Sequence, residues 1–322
     1  MEKSNGEKFP IKRSWVLAIL LIIPAVAAFG AWDIFFNEQQ LKPYLRFDSL
    51  FLPLYLLVFE LPHVIASFFG FFQKEYAKHY KRHLFFGLPL FLLAFLIILG
   101  VDFYVAVVAY LIATLFHVVR QQTGIAHFFG VPKNKWHWWW SWFLIAGLAS
   151  MYIIMQPAFV SEMYQAPLLL LVQITLLLAG ISTAVLALKT ESSLGGLYVI
   201  STFVMALVSY WMLVAGYEFL SVLVVRVIHD VTAFLFYITH EMNSNKDSVK
   251  NILYRLVPFM PWSLILVVPL AAILIGLIIR MLIGDPVTLL GIVMTISLAH
   301  YYLESIIWKS ENLHREQIKI SD

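Results

Sequence analysis

The sequence predicts an all-α, polytopic transmembrane helical bundle, and three observations predict it. Of 322 residues, 61% are hydrophobic and 13% are charged, whereas a soluble domain carries about 25% charge and about 45–50% apolar residues. Apolar runs long enough to cross a hydrocarbon layer about 30 Å thick recur along the chain, and the mean hydropathy is +0.83. Between those runs the basic residues alternate in density. A β-barrel would need segments of about ten residues alternating in polarity, and none is present.

Taken in order, the apolar runs place ten helices near 14–33, 49–73, 84–100, 102–120, 138–156, 166–188, 195–216, 218–242, 262–281 and 286–308. The first follows a basic flank, as a signal peptide would, but its apolar stretch is long and reads as an uncleaved helix. Pro62 can kink the second. Only Gly100 to Asp102 separate the third from the fourth. The fifth opens in "KWHWWWSW", an interfacial aromatic belt. The last ends at Trp308 and Lys309, where it leaves the membrane. No linker or low-complexity stretch divides the chain, so 1–322 reads as one integral-membrane domain.

Charge orients this map. The segments before helix 1 and after helices 2, 4, 6, 8 and 10 hold 18 of the 22 Lys and Arg residues. The opposite side holds Lys42, Arg46 and Arg280, and Arg226 lies inside helix 8. Such a bias marks the first side as cytoplasmic and puts both termini there. An error of one helix would scramble the alternation.

With no cysteine, disulfides, thiolate metal sites and cysteine nucleophiles are excluded. No basic, aromatic-interleaved surface points to nucleic acid. The ten histidines are more informative. His79 and His83 share a His-x-x-x-His spacing, but in a basic interfacial segment that suits lipid headgroups. His137 belongs to the aromatic belt, and His314 to the polar tail. His63, His117, His229 and His300 fall in helices 2, 4, 8 and 10, all running inward, in the middle or cytoplasmic half of each.

Each of these four has polar company. Glu60 precedes His63 by three residues and shares its face. Arg120 and Gln121 follow His117, Asp230 follows His229, and Glu304 follows His300 by one turn. A single intramembrane histidine reads as a hydrogen-bonded helix glue. Four at one depth with adjoining carboxylates read as one site. His240 lies eleven residues beyond His229, about 16 Å along the helix, too far to share an ion with it. A role at the entrance remains open to it, and to His127 if helix 4 continues past Gly124.

Neutral imidazoles with a carboxylate suit iron, zinc or copper. His63, His117, His229 and His300 are the candidate metal ligands. Glu60, Asp230 and Glu304 are the candidate catalytic carboxylates, supplying acceptors for imidazole N–H groups; Glu304 stands as ligand or acceptor, the second preferred. A centre buried in lipid is placed for a lipophilic small-molecule substrate, and oxidation of an alkyl or polyene chain fits better than hydrolysis. The electron donor is not encoded in any motif.

The windows "ELPHVIAS", "LFHVVRQQ", "RVIHDVTA" and "LAHYYLESIIWK" together resemble, in order and helix placement, the histidine pattern of bacterial β-carotene dioxygenases of the Brp/Blh type. The resemblance implies a polytopic enzyme of a bacterial cytoplasmic membrane, cleaving a carotenoid or similar isoprenoid with iron held by His63, His117, His229 and His300. Two features depart from that pattern: Val64 stands where a glycine follows Pro-His, and the close His-x-x-x-His pair on the third ligand helix is missing. Two alternatives are a haem-binding protein similar to haem A synthase, through Glu60-x-x-His63, and a proton-coupled transporter using His229, Asp230, Glu304 and Arg226.

Overall fold

In hydrocarbon every backbone N–H and C=O needs an internal partner, and a helix supplies them within one segment. The computed structural model describes residues 8–46, 54–156, 161–255, 263–309 and 311–321, and it is helical almost throughout. The helices are α1 (Arg13–Ile19), α2 (Ile22–Phe36), α3 (Leu61–Ser67), α4 (Lys74–His79), α5 (Leu88–Val101), α6 (Phe103–Ile125), α7 (Lys135–Ile154), α8 (Glu162–Lys189), α9 (Ser193–Val214), α10 (Glu218–Ser244), α11 (Leu264–Leu282), α12 (Pro286–Ile307) and α13 (Leu313–Glu316). Strands β1 (Pro10–Lys12) and β2 (Lys319–Ser321) form a parallel pair.

All ten expected spans carry helix. Among the described residues, eight are long and apolar enough to cross a membrane. The other two are the shorter Leu56–Phe72 segment and α7. The chain is a multi-pass α-helical membrane protein. Lys3 and the expected span residues 49–53 and 262 lie outside the described residues. The narrow break before Phe103 is real, since Asp102 is extended at φ −151 and ψ 110 and separates α5 from α6.

Proline shapes two spans through one device. Leu56–Glu60 and His83–Gly87 are π-helical turns, each placed just before a proline, Pro62 and Pro89. A proline lacks its N–H and collides with the carbonyl four residues back. Widening the preceding turn absorbs both defects without breaking the helix. Elsewhere side chains cap the starts: Asn134 accepts from the Trp136 and His137 amides, and Asp285 from Thr288.

The described chain divides into two compact units. One comprises Met1–Val16, Leu56–Phe103 and Asp230–Asp322. Within it α3 packs on α11 and α12, and α5 on α12. Its core joins Leu61, Ile65, Phe69, Ala233, Tyr237 and Val268. Small residues bring these helices close, as packing in lipid requires; a methyl on Gly276 would meet Leu61 Cδ2 at 3.4 Å.

The ends of the chain are clasped in the same unit. Beside the β1–β2 pair, Asn243 accepts from the Phe9 amide at 2.7 Å and donates to Phe9 O at 3.0 Å and Gln317 O at 2.7 Å. Residues 10–12 and 319–321 therefore lie on one side of the membrane. That requires an even number of crossings.

The other unit comprises Leu17–Tyr55 and Tyr104–His229. There α8 packs on α7 and α9, and α9 on α2. Gly147 faces Thr175 Oγ1 so closely that an added methyl would sit 3.0 Å away. Gly216, at φ 82, turns the chain after α9. Tyr217 then donates to the buried Asp33 at 2.8 Å.

Candidate metal centre

Four histidines singled out by depth and order are all buried: His63, His229 and His300 at 0% exposure and His117 at 8%. Buried imidazoles of this kind could bind a metal ion. The first unit holds His63 on α3, Asp230 on α10, and His300 and Glu304 on α12. The His63 and His300 rings meet edge to face, with centroids 5.0 Å apart at 86°. His63 Nδ1 lies 3.1 Å from Asp230 Oδ1. Donation from that nitrogen to the carboxylate would fix the tautomer and leave Nε2 as a basic donor.

Glu304 is held from one side. Tyr237 O–H and Trp308 Nε1–H both donate to its Oε1, the second at 2.7 Å, and the two rings stack at 6.2 Å and 20°. The other oxygen, Oε2, lies 4.0 Å from His300 Nε2. That is too long for a hydrogen bond. It does fit two donors on one ion, because bonds of about 2.0–2.2 Å allow ligand atoms up to about 4 Å apart. Glu60, ending the π turn one helical turn before His63, is buried at 6% exposure.

In the second unit His117 on α6 and His229 on α10 form another edge-to-face pair, with centroids 5.0 Å apart at 85°. Arg226, one turn before His229, is also buried. Arg120 turns instead toward Ser141, 3.5 Å away. His229 and Asp230 are successive residues of α10, whose first half belongs to this unit and second half to the other.

The remaining histidines go elsewhere. A regular helix ends at His79, and His79 and His83 take different partners, Asn312 Oδ1 and Tyr302 O–H. Helix 4 does continue past Gly124, but the His127 ring lies tilted against His137, with centroids 4.3 Å apart at 39°. Those two rings donate to backbone carbonyls, of Val131 and Thr123, each at 2.9 Å.

His314, expected in a solvated tail, is instead buried at 2% exposure and lies flat on His240, with centroids 4.5 Å apart at 10°. His240 donates Nδ1–H to Glu241 at 3.0 Å and accepts from Tyr76 at 3.1 Å; Tyr80 O–H lies 3.3 Å from His314 Nδ1. Parallel rings point their lone pairs in parallel planes, so this stack is not built to chelate. Burial pushes the His314 imidazolium pKa well below its usual value, and His240 and His79 add to the effect. Burial likewise raises Tyr76, and lifts Tyr80 to about 12. No sequence signal separates His314 from an ordinary tail residue. Comparison of the chain with family models, with curated proteins and with solved structures gives no match.

Proposed function

We propose that this protein is a metal-dependent membrane oxygenase, with iron as the resident ion and a lipid or isoprenoid chain as substrate. His63 and His300 are its imidazole donors in the first unit, and His117 and His229, the other two candidate donors, pair in the second. The observation that carries this reading is Glu304, pinned through Oε1 by two donors with Oε2 left at 4.0 Å from His300 Nε2. A side chain meant only to accept the His300 proton would sit within hydrogen-bond distance. Glu304 is therefore assigned as a carboxylate donor beside the imidazoles. A set of imidazoles and one carboxylate, without thiolate, suits iron, zinc or copper, and of these iron suits the oxygenation proposed.

Iron bound there would supply activation of dioxygen. The chain's own residues do the rest: Asp230 orients His63, Tyr237 and Trp308 orient Glu304, and the burial of all these groups keeps bulk water out. Cleavage of a carbon–carbon double bond into two carbonyls consumes one dioxygen and needs no outside reductant. Hydroxylation would need two electrons from a separate donor. Imidazoles clamping a haem from opposite faces stand with centroids about 6 Å apart, given metal–nitrogen bonds of about 2 Å. The 5.0 Å pairs favour a bare ion.

Metal analysis of protein purified from a bacterial cytoplasmic membrane, beside His63→Ala, His117→Ala, His229→Ala and His300→Ala, tests the proposal. Near-stoichiometric iron in the parent and its loss in the variants is expected. A parent without stoichiometric metal, or variants that keep it, ends the proposal.

A further inference from the structure

We propose that the Ser297 hydroxyl binds dioxygen, the second reactant of the centre described above, by donating a hydrogen bond to it; the inference rests on that reading. Ser297 lies on α12 in the first unit and is fully buried, at 0% exposure. Its Oγ makes no hydrogen bond within the protein.

That is unusual for this chain. A hydroxyl in a membrane helix ordinarily donates to the carbonyl three or four residues back. Thr295 does so to Gly291 O at 2.7 Å, Ser305 to Tyr302 O at 2.7 Å and, on α3, Ser67 to Val64 O at 2.6 Å. Among the described residues, the buried serine and threonine hydroxyls without a partner are those of Ser297 and, in the other unit, Thr183. An unpaired hydroxyl in an apolar interior is unfavourable, so a partner from outside the polypeptide is called for.

Helix geometry puts the Ser297 hydroxyl at the centre. Successive residues turn by about 100° and rise about 1.5 Å. His300 therefore stands about 60° around α12 from Ser297 and about 4.5 Å along it, and Glu304 about 20° around and about 10 Å along. Helical side chains lean toward the N-terminus, so the His300 ring covers the turn that Ser297 opens. Glu304 Oε2, 4.0 Å from His300 Nε2, reaches the ring from the C-terminal side. Ser297 borders it from the other. The His63 ring, which meets that of His300 at 5.0 Å, comes from α3, packed against α12.

The partner follows by elimination. An alkyl or polyene chain carries no oxygen or nitrogen to accept a hydrogen bond. The other reactant of an oxygenase is dioxygen, an acceptor without a proton of its own and small enough for a fully buried site.

Nitric oxide, a diatomic that binds ferrous iron as dioxygen does and can be titrated anaerobically, is the probe. Parent, Ser297→Ala and Ser297→Thr are loaded with ferrous iron, and the N–O stretch is recorded by infrared spectroscopy in water and in deuterium oxide. Iron content should be equal in the three, since Ser297 is not a ligand, and so reports an intact centre. A deuterium shift of the stretch is expected in the parent and in Ser297→Thr, which keeps the hydroxyl, and not in Ser297→Ala. Ser297→Ala should also bind nitric oxide about tenfold more weakly, the contribution of one hydrogen bond. A shift that persists in Ser297→Ala, or equal affinity in Ser297→Ala and the parent, overturns the inference and leaves the metal reading standing; equal affinity is what a hydroxyl holding only a water would give. A parent without stoichiometric iron ends both.

Discussion

Removing the Tyr237 hydroxyl tests how Glu304 is held. Tyr237→Phe keeps the ring, its stack on Trp308 and its place in the core, and deletes one of two donors to Glu304 Oε1. A hydrogen bond to a charged group contributes about 1.5–3 kcal/mol, and a buried acceptor stripped of one partner loses about that much. Carboxylates orienting a metal ligand typically change affinity by about 10–100-fold when their partners are removed, which is about 1.4–2.8 kcal/mol. The two ranges coincide, so the hydroxyl's whole contribution would appear in metal affinity if Glu304 is a ligand. The assay is competition for iron against a graded series of chelators in detergent, with Glu304→Gln and Trp308→Phe alongside. Tyr237→Phe and Trp308→Phe should each lose about 10–100-fold, and Glu304→Gln at least as much. If Tyr237→Phe loses stability by about 2 kcal/mol while all three variants bind iron as the parent does, Glu304 is a structural acceptor and the reasoning is refuted.

Two further outcomes concern the stack of His240 and His314. Gly70→Ala would put a methyl 2.7 Å from His314 Nε2; overpacking of this kind costs about 1–3 kcal/mol, and faster tryptic cutting after Arg315 than in the parent is expected. His314 also makes the tail clasp pH-sensitive. Its folded pKa is depressed, so the unfolded tail binds more protons as pH falls below about 6.5; the clasp should hold above that value and loosen progressively below it. The groups facing His314 are Tyr76, Tyr80, His240, His79 and, by way of Gly70, Glu241. Hydrogen exchange of residues 313–321 between pH 7.5 and pH 5 measures this, and exchange that does not quicken in His314-containing protein relative to His314→Phe rules it out.

Much of the fold was legible because lipid imposes a simple code: an apolar run must be a helix, and its length sets its span. All ten helical segments follow from that, as does the gap at Asp102. The candidate histidines were legible for the converse reason, that an ionisable group in an apolar run is conspicuous. The holding of Glu304 was not. Trp308 reads as an interface marker in the sequence, and only the i,i+4 spacing from Glu304 hints at its bond; Tyr237 reaches Glu304 from another helix, a tertiary fact. Pro62 announces a kink but not the π turn that absorbs it. His314 looked solvated because no apolar run surrounds it; its burial comes from the rings of Tyr76, Tyr80 and His240, far away in sequence.

The clasp sets an order on the making of the molecule. β2 and His314 come after α12, whereas their partners β1, Gly70, Tyr76 and Asn243 are synthesised earlier. While the later helices are being inserted, the face of the His240 ring that His314 will cover has only water and earlier chain to meet. Arrival of the tail covers it and gives Asn243 its bond to Gln317 O. The stack of two imidazoles therefore forms only after α12 has been made, and a ribosome stalled within α12 would leave the preceding helices unlatched.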